Sequence, residues 1–186
     1  MIIRRIAAML CFMTALGAAH AEDRPAVSPT RDVDVTYRVP QPDAGGSTRV
    51  LEQRMRYTAA GRRQRIDPPT SGLYVIMDFA AQRMSTVRPA ERMSLDMPTP
   101  ATAGASAAPF TRKGMARVAG IDCAEWLTRD ASGEATDVCI TTDGVLLRAS
   151  AAGRLLVEAT SVRYEPQDPS VFAVPDGFKH IAAPVR

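Results

Sequence analysis

The sequence predicts a mainly β protein built around an antiparallel sheet, and three observations carry that reading. Apolar and polar residues alternate with a period of two through Val33, Val35, Tyr37 and Val39, and again through Leu51, Gln53, Met55 and Tyr57. Short strand-like runs follow one another between Ile121 and Tyr164 with turn residues between them. No segment shows the 3.6-residue period of an amphipathic helix. The chain of 186 residues suits a single domain once its leader is set aside.

That leader comes first. Arg4 and Arg5 precede an apolar run from Ile6 to Leu16, and Ala19-His20-Ala21 offers a small-x-small cleavage site, so residues 1–21 read as a cleaved Sec-type signal peptide and the product as periplasmic. The run is too short for a membrane anchor, which needs roughly 20 apolar residues, and nothing later in the chain reads as an integral membrane segment. Loss of Arg4 and Arg5 brings the formal net charge from +3 to +1. A nearly neutral protein whose only lysines are Lys113 and Lys179 gives no footprint for nucleic acid.

Residues 22–31, with Pro25 and Pro29, read as an extended lead-in, and a single domain is expected over 32–181. Asp32 to Val39 is a half-buried strand, and Leu51 to Thr58 follows it after a turn-rich loop over Pro40 to Ser47. Ala59-Ala60-Gly61 leads into Arg62 to Ile66, which Pro68-Pro69 stops. Leu73 to Phe79 is apolar on both faces apart from Asp78, so it should be covered on both sides or lie beside a loop that packs on it. Met84 to Val87 and Met93 to Met97 are two more short strands. The stretch that follows, built of Ala, Thr, Gly, Ser and Pro, has no hydrophobic period, and a mobile loop is expected over 98–111. Ile121 to Thr128, Thr136 to Thr142, Val145 to Ser150 and Leu155 to Tyr164 then form a meander, with a type I′ turn expected at Asp143-Gly144.

Cleavage removes Cys11 and leaves Cys123 and Cys139, a pair in an oxidising compartment, so a disulfide is expected. No CxxC spacing, third cysteine or nearby histidine supports the rival metal or redox pair. With Asp130-Ala131-Ser132 as the hairpin loop the two cysteines lie directly opposite, and closing this loop stabilises the fold by about 3 kcal/mol. The same register sets Trp126 opposite Thr136, Ala124 opposite Val138, Ile140 against Leu147 and Val138 against Ala149. It gives an apolar face of Ala124, Trp126, Val138, Ile140 and Leu147, with the disulfide on the more solvated face beside Glu125, Asp137 and Thr141.

Few residues suggest catalysis. His180 is the only histidine beyond the leader, so a Ser-His-Asp system would have to be assembled around it. No phosphate-cradling GxGxxG or GxxxxGK[ST] string occurs. Neither an enzyme nor a metal or cofactor site is expected. Arg54, Arg56, Arg62, Arg63 and Arg65 cluster on one hairpin, where pairing with Asp32, Asp34 and Glu52 makes a solvated sheet face a better reading than a lipid head-group site. The large apolar residues are more suggestive. Tyr37, Met55, Tyr57, Met77 and Phe79, joined by Trp126, Ile140 and Leu147, suit an adaptable ligand-binding cavity, and Met84, Met93 and Met97 on neighbouring strands add to a soft interior. With almost no helix to cover it, the sheet must curl on itself or leave a concave face open.

Two strings carry a family resemblance: VAGIDCAEW, Val118 to Trp126, which opens the meander, and DPSVFAVPDGF, Asp168 to Phe178, which follows its last strand. Together with the CITTDG turn between them they resemble exported proteins with the lipoprotein-carrier-like half-barrel of the LolA, LppX and RseB types. The resemblance implies a curved antiparallel sheet, a half-barrel with little helix, wrapped around an apolar concave face. The implied function is non-enzymatic binding of a lipid or other apolar ligand in the periplasm. The alternative is an envelope protein-protein interaction or stress-sensing module with no small-molecule ligand.

Overall fold

The computed structural model describes residues 24–43, 45–69, 72–99, 109–129 and 132–182. The leader expected over 1–21 and most of the loop expected over 98–111 lie outside them. A first meander runs through β1 (Val33–Pro42), β2 (Thr48–Thr58), β3 (Arg63–Asp67), β4 (Tyr74–Asp78), β5 (Arg83–Arg88) and β6 (Met93–Pro98). A second runs through β7 (Thr111–Val118), β8 (Ile121–Arg129), β9 (Ala135–Ile140), β10 (Leu146–Ala151) and β11 (Arg154–Arg163). β11 returns to pair antiparallel with β1, which joins the two meanders side by side. The chain then crosses back and adds β12 (Lys179–Ala182) parallel to β6 at the far edge. The result is one open sheet of 12 strands in the order β12-β6-β5-β4-β3-β2-β1-β11-β10-β9-β8-β7, a curved half-barrel as expected. Among the described residues the only helices are two 3-10 turns, Pro89–Glu91 and Pro169–Phe172.

Two strands escaped the sequence reading. β7 is an edge strand, exposed along most of its length and bulged between Arg112 and Gly114, so it lacks the alternation that burial of one face imposes. β12 has four residues and is held by its pairing with β6. Pro98 ends β6 and Thr111 opens β7, which trims the expected loop at both ends. The ribbon of β1 and β2 also continues beyond Val39, through Pro42 opposite Thr48. Asp43 closes it, its carboxylate accepting from Gly45 N–H and Ser47 N–H at 2.9 Å each.

The turn at Asp143-Gly144 is a hairpin turn but not type I′. Only Gly144, at φ +86°, is left-handed; Asp143 is not. Thr141 N–H donates to Val145 C=O at 2.9 Å and Gly144 N–H to Thr141 C=O at 3.0 Å, the three-residue loop in which a left-handed glycine follows a tight turn. The extra loop residue sets Ile140 opposite Leu146 rather than Leu147, and a bulge there restores the expected pairing of Val138 with Ala149.

The β8–β9 register is corrected by two residues. The connection extends two residues beyond the expected Asp130-Ala131-Ser132 loop, through Glu134, so Arg129 pairs with Ala135, Trp126 with Val138 and Ala124 with Ile140. A shift of two keeps every side chain on its face. It also makes Cys123 and Cys139 diagonal neighbours; Cys139 sits opposite Glu125, the Cα atoms are 5.4 Å apart and the sulfurs 2.07 Å. The cysteines are not solvated, as had been expected. Each is 1% exposed, because both belong to the main core with Val118, Val145 and Leu147, while the neighbouring Glu125 carboxylate accepts from Arg148 at 2.7 Å.

That core centres on β1, where Val33 and Val35 are fully buried, and gathers Tyr37, Met55, Tyr57, Val145, Leu147 and Ala159. The Tyr37 hydroxyl donates to Leu146 C=O at 2.7 Å, so the buried phenol has its acceptor, and burial holds its pKa well above the ordinary tyrosine value.

Candidate functional site: a methionine-lined sheet face

Directly paired strand positions share a face, so the register places side chains in rows across the sheet. One row runs Tyr57, Gln64, Met77, Met84, Met97 from β2 to β6, and the next runs Met55, Ile66, Val75, Thr86, Leu95. At the β2 end Met55 and Tyr57 are buried in the main core. From β3 outward every member of both rows is only half-buried. The Phe79 ring lies 6.4 Å from that of Tyr57 and packs against the core where the methionine row begins. The outcome is an apolar strip with three flexible thioethers in line, partly open to solvent.

The reverse face of the same strands is covered in part by the chain's own return segment. Between β11 and β12 the chain passes over it as a strap, placing Phe172, 3% exposed, with Val174 and Phe178 near Tyr74, Ile76 and Val87. The strap is the DPSVFAVPDGF string. Its Asp168 carboxylate caps the 3-10 turn by accepting from Ser170 N–H at 2.9 Å, and Val171 C=O accepts from Arg65 at 3.1 Å. β4 is therefore covered by a packed loop on one side and half-open on the other, the second of the two arrangements its composition allowed.

The sequence-predicted ligand residues separate into three groups. Tyr37, Met55, Tyr57 and Leu147 lie in the main core, with Phe79 at its margin. Met77 lies in the half-open methionine row. Trp126 and Ile140 stand apart from that core cluster, in a cleft on the second meander beside Arg24, Pro25 and Ala26. Sequence reasoning did not place Val75, Met84, Leu95 and Met97 at the site. The period-two spacing of Val75 with Met77 and of Met93, Leu95 and Met97 was the signal that could have done so.

Four of the five clustered arginines, Arg54, Arg56, Arg63 and Arg65, form ion pairs, with partners other than most of those expected. Asp34 pairs with Arg54 and, at 2.8 Å, with Arg163; Asp67 pairs with Arg56 at 2.9 Å and Arg65 at 2.7 Å; Asp78 pairs with Arg63 at 2.9 Å. Asp32 serves the backbone instead, accepting from Ala59 N–H at 2.8 Å and Gln167 N–H at 3.0 Å. At the far edge His180 Nδ1 lies 3.0 Å from both Ser94 Oγ and Asp96 Oδ2. One nitrogen meets both partners, so the relay in which serine and aspartate occupy opposite ring nitrogens is not formed, and Ser94 is fully buried. No group of three or more His, Cys, Asp or Glu among the described residues could hold a metal ion. No helix among them is long and apolar enough to cross a membrane.

No family model matches the chain, and no curated protein matches it by sequence. Solved structures do match. An uncharacterized conserved protein from Thermus thermophilus superposes with a TM-score of 0.60 at 12% identity over 83% of this chain and 91% of that one. MucB superposes with a TM-score of 0.50 at 14% identity over 82% of this chain and 60% of that one. The chain has the RseB-type half-barrel fold. PNGF-II also matches, with a TM-score of 0.52 at 14% identity, 82% of this chain covering 31% of that one. The chain thus spans about a third of PNGF-II and three fifths of MucB, and the likeness is one of fold.

Proposed function

We propose that this is a periplasmic, non-enzymatic half-barrel that holds a lipid acyl chain or similar apolar ligand along the Met77, Met84 and Met97 row. The observation that carries the reading is the asymmetry of β3 to β6: the apolar residues of one face, Tyr74, Ile76 and Val87, are buried under the chain's own strap, while the other face keeps an aligned, half-buried apolar strip. Thioether side chains adapt to irregular apolar surfaces, which suits a ligand of variable chain length. Val75 and Leu95 flank the row, and Tyr57 and Phe79 end it against the core, where Tyr37, Met55 and Leu147 form a rigid base. The Arg4-Arg5 leader and the paired cysteines support an envelope location.

Native mass spectrometry of protein purified from its own envelope tests the reading. A co-purifying lipid is expected, and Met84→Gln with Met97→Gln should lower its occupancy about tenfold, since burying an unpaired amide costs about 1–3 kcal/mol. A bound envelope protein in place of lipid would establish the interaction-module alternative. Protein that carries neither, and takes up no phospholipid on incubation, would sink both.

A further inference from the structure

The methionine row carries a second chemistry besides its apolarity. Met77 stands directly opposite Met84, and Met84 directly opposite Met97, on three consecutive strands. Directly opposite Cβ atoms are about 5 Å apart, and each thioether sulfur lies two bonds beyond its Cβ on an unbranched, rotatable chain. Neighbouring sulfurs can therefore meet at a common point without any movement of the backbone. Curvature brings in the third. The row continues the face on which Met55 and Tyr57 join the main core, so the half-barrel curls toward it and the side-chain ends converge. All three methionines are half-buried, which leaves them within reach of a small ion from solvent.

The surrounding donors decide which ion. Soft thioethers favour Cu(I), whereas hard cations need carboxylate or carbonyl oxygens. The carboxylates of these strands, Asp78 and Asp96, hold the alternate positions and face the other way, where Arg63 and His180 engage them. The adjacent row offers Val75, Thr86 and Leu95, with no charged group. Cys123 and Cys139 are bonded to each other and 1% exposed, so among the described residues no thiolate competes with the thioethers. Met115 lies on β7, at the opposite edge of the sheet from β6 and β12.

We infer that Met77, Met84 and Met97 form a Cu(I) site with Met84 as the central ligand. The site shares side chains with the proposed lipid strip but does not rest on that reading, because a soft cation needs the sulfurs and a lipid needs only their apolarity. Anaerobic competition with bicinchoninate should show uptake of one Cu(I), and native mass spectrometry with Ag(I), a redox-stable soft cation, should show the same one-to-one stoichiometry. With methyl-labelled methionine, Ag(I) should shift the methyl resonances of Met77, Met84 and Met97 and leave that of Met55, buried in the core, in place. Leucine replaces methionine at nearly equal volume, so Met84→Leu removes the central sulfur and keeps the apolar strip. It should weaken Cu(I) at least tenfold, while Met115→Leu should leave the affinity within twofold of the parent. No transfer of Cu(I) from bicinchoninate, binding that survives leucine at all three positions, or displacement by equimolar Zn(II) would overturn the site. Protein that carries lipid but takes up no Ag(I) refutes this site alone, and protein that takes up Ag(I) but never lipid refutes the lipid reading alone.

Discussion

Asp34 is 2% exposed, yet its environment keeps it charged. Burial by itself raises its pKa, but hydrogen bonds from Arg54 and Arg163, with their charges, outweigh it and hold the carboxyl below the ordinary aspartate value. Asp67, between Arg65 and Arg56, and Asp78, bonded by Ala81 N–H and Arg63, shift the same way against the same burial cost. For each, the folded pKa lies below the unfolded value of about 3.9. Their stabilisation is therefore fully present above that value and is lost as pH falls through the lowered folded pKa. Urea midpoints should stay level between about pH 7 and pH 5 with respect to these groups and drop below about pH 4. Asp34→Asn should cost about 1–3 kcal/mol at pH 7 and make the acid decline shallower; an equally steep decline in the variant would remove Asp34 from this account. The cysteines make a second residue-scale case. At 1% exposure each, the bond should resist reductant in the folded protein and open only on unfolding, and its loss in Cys123→Ala with Cys139→Ala should cost about 3 kcal/mol. Thiol labelling under native conditions that captures both sulfurs before any loss of ellipticity would contradict this.

Among the elements, the Thr141 to Val145 turn has the most consequences. Thr141 Oγ1 accepts from Val145 N–H at 2.9 Å and donates to Asp143 at 2.5 Å, while Asp143 also accepts from the Tyr164 hydroxyl at 3.0 Å. A β-carbon at Gly144 would fall 2.2 Å from Ser28 C=O, and φ is +86°. Gly144→Ala should therefore destabilise by about 2 kcal/mol and lift the lead-in from the turn, seen as faster proteolysis before Thr30 and a red shift of Trp126 emission. Unchanged emission would mean that residues 24–26 do not shield the indole. The Asp-Gly pair was legible as a turn because its chemistry is local, but its type was not, because the Thr141 side chain competes for the same backbone donors. β1 and β2 were legible because one face of each is buried and alternation records it. β7 was not, since an exposed edge imposes no pattern. The β8–β9 register slipped because Glu134 fits strand or loop equally, and the Trp126 cleft was hidden because its wall comes from a segment a hundred residues away. The methionine row stood in the sequence as alternation, but only cross-strand register could align Met77 with Met84 and Met97.

An open sheet of 12 strands with almost no helix has two faces and two edges to protect, and the molecule protects them differently. The strap covers one face of the first meander, and the main core fills the middle. Across the β1–β11 junction and into the second meander Arg38, Glu158, Arg148 and Glu125 form a ladder of opposite charges, with Arg38 to Glu158 at 2.6 Å and Arg148 to Glu125 at 2.7 Å. One edge ends in β12, short and parallel, docked through His180 and Asp96 at 3.0 Å. The other edge, β7, is 8 residues long and antiparallel, the geometry most open to pairing with a second chain. Its protection is chemical. Arg112, Lys113 and Arg117 are exposed along it, Lys113 sits in the bulge, and Met115 is the large apolar residue that remains open, at 58% exposure. Charged side chains on an edge strand oppose edge-to-edge association because a second copy would bring like charges together and strip their water. Lys113→Val with Arg117→Val removes that barrier at positions whose ion pairs, to Asp137 and Asp122, are solvent-exposed and contribute little to stability. The double variant should keep its melting temperature within a few degrees and shift toward dimers and larger species in light scattering coupled to gel filtration. An elution profile identical to that of the parent at matched concentration would show that the bulge alone, without the charges, guards this edge.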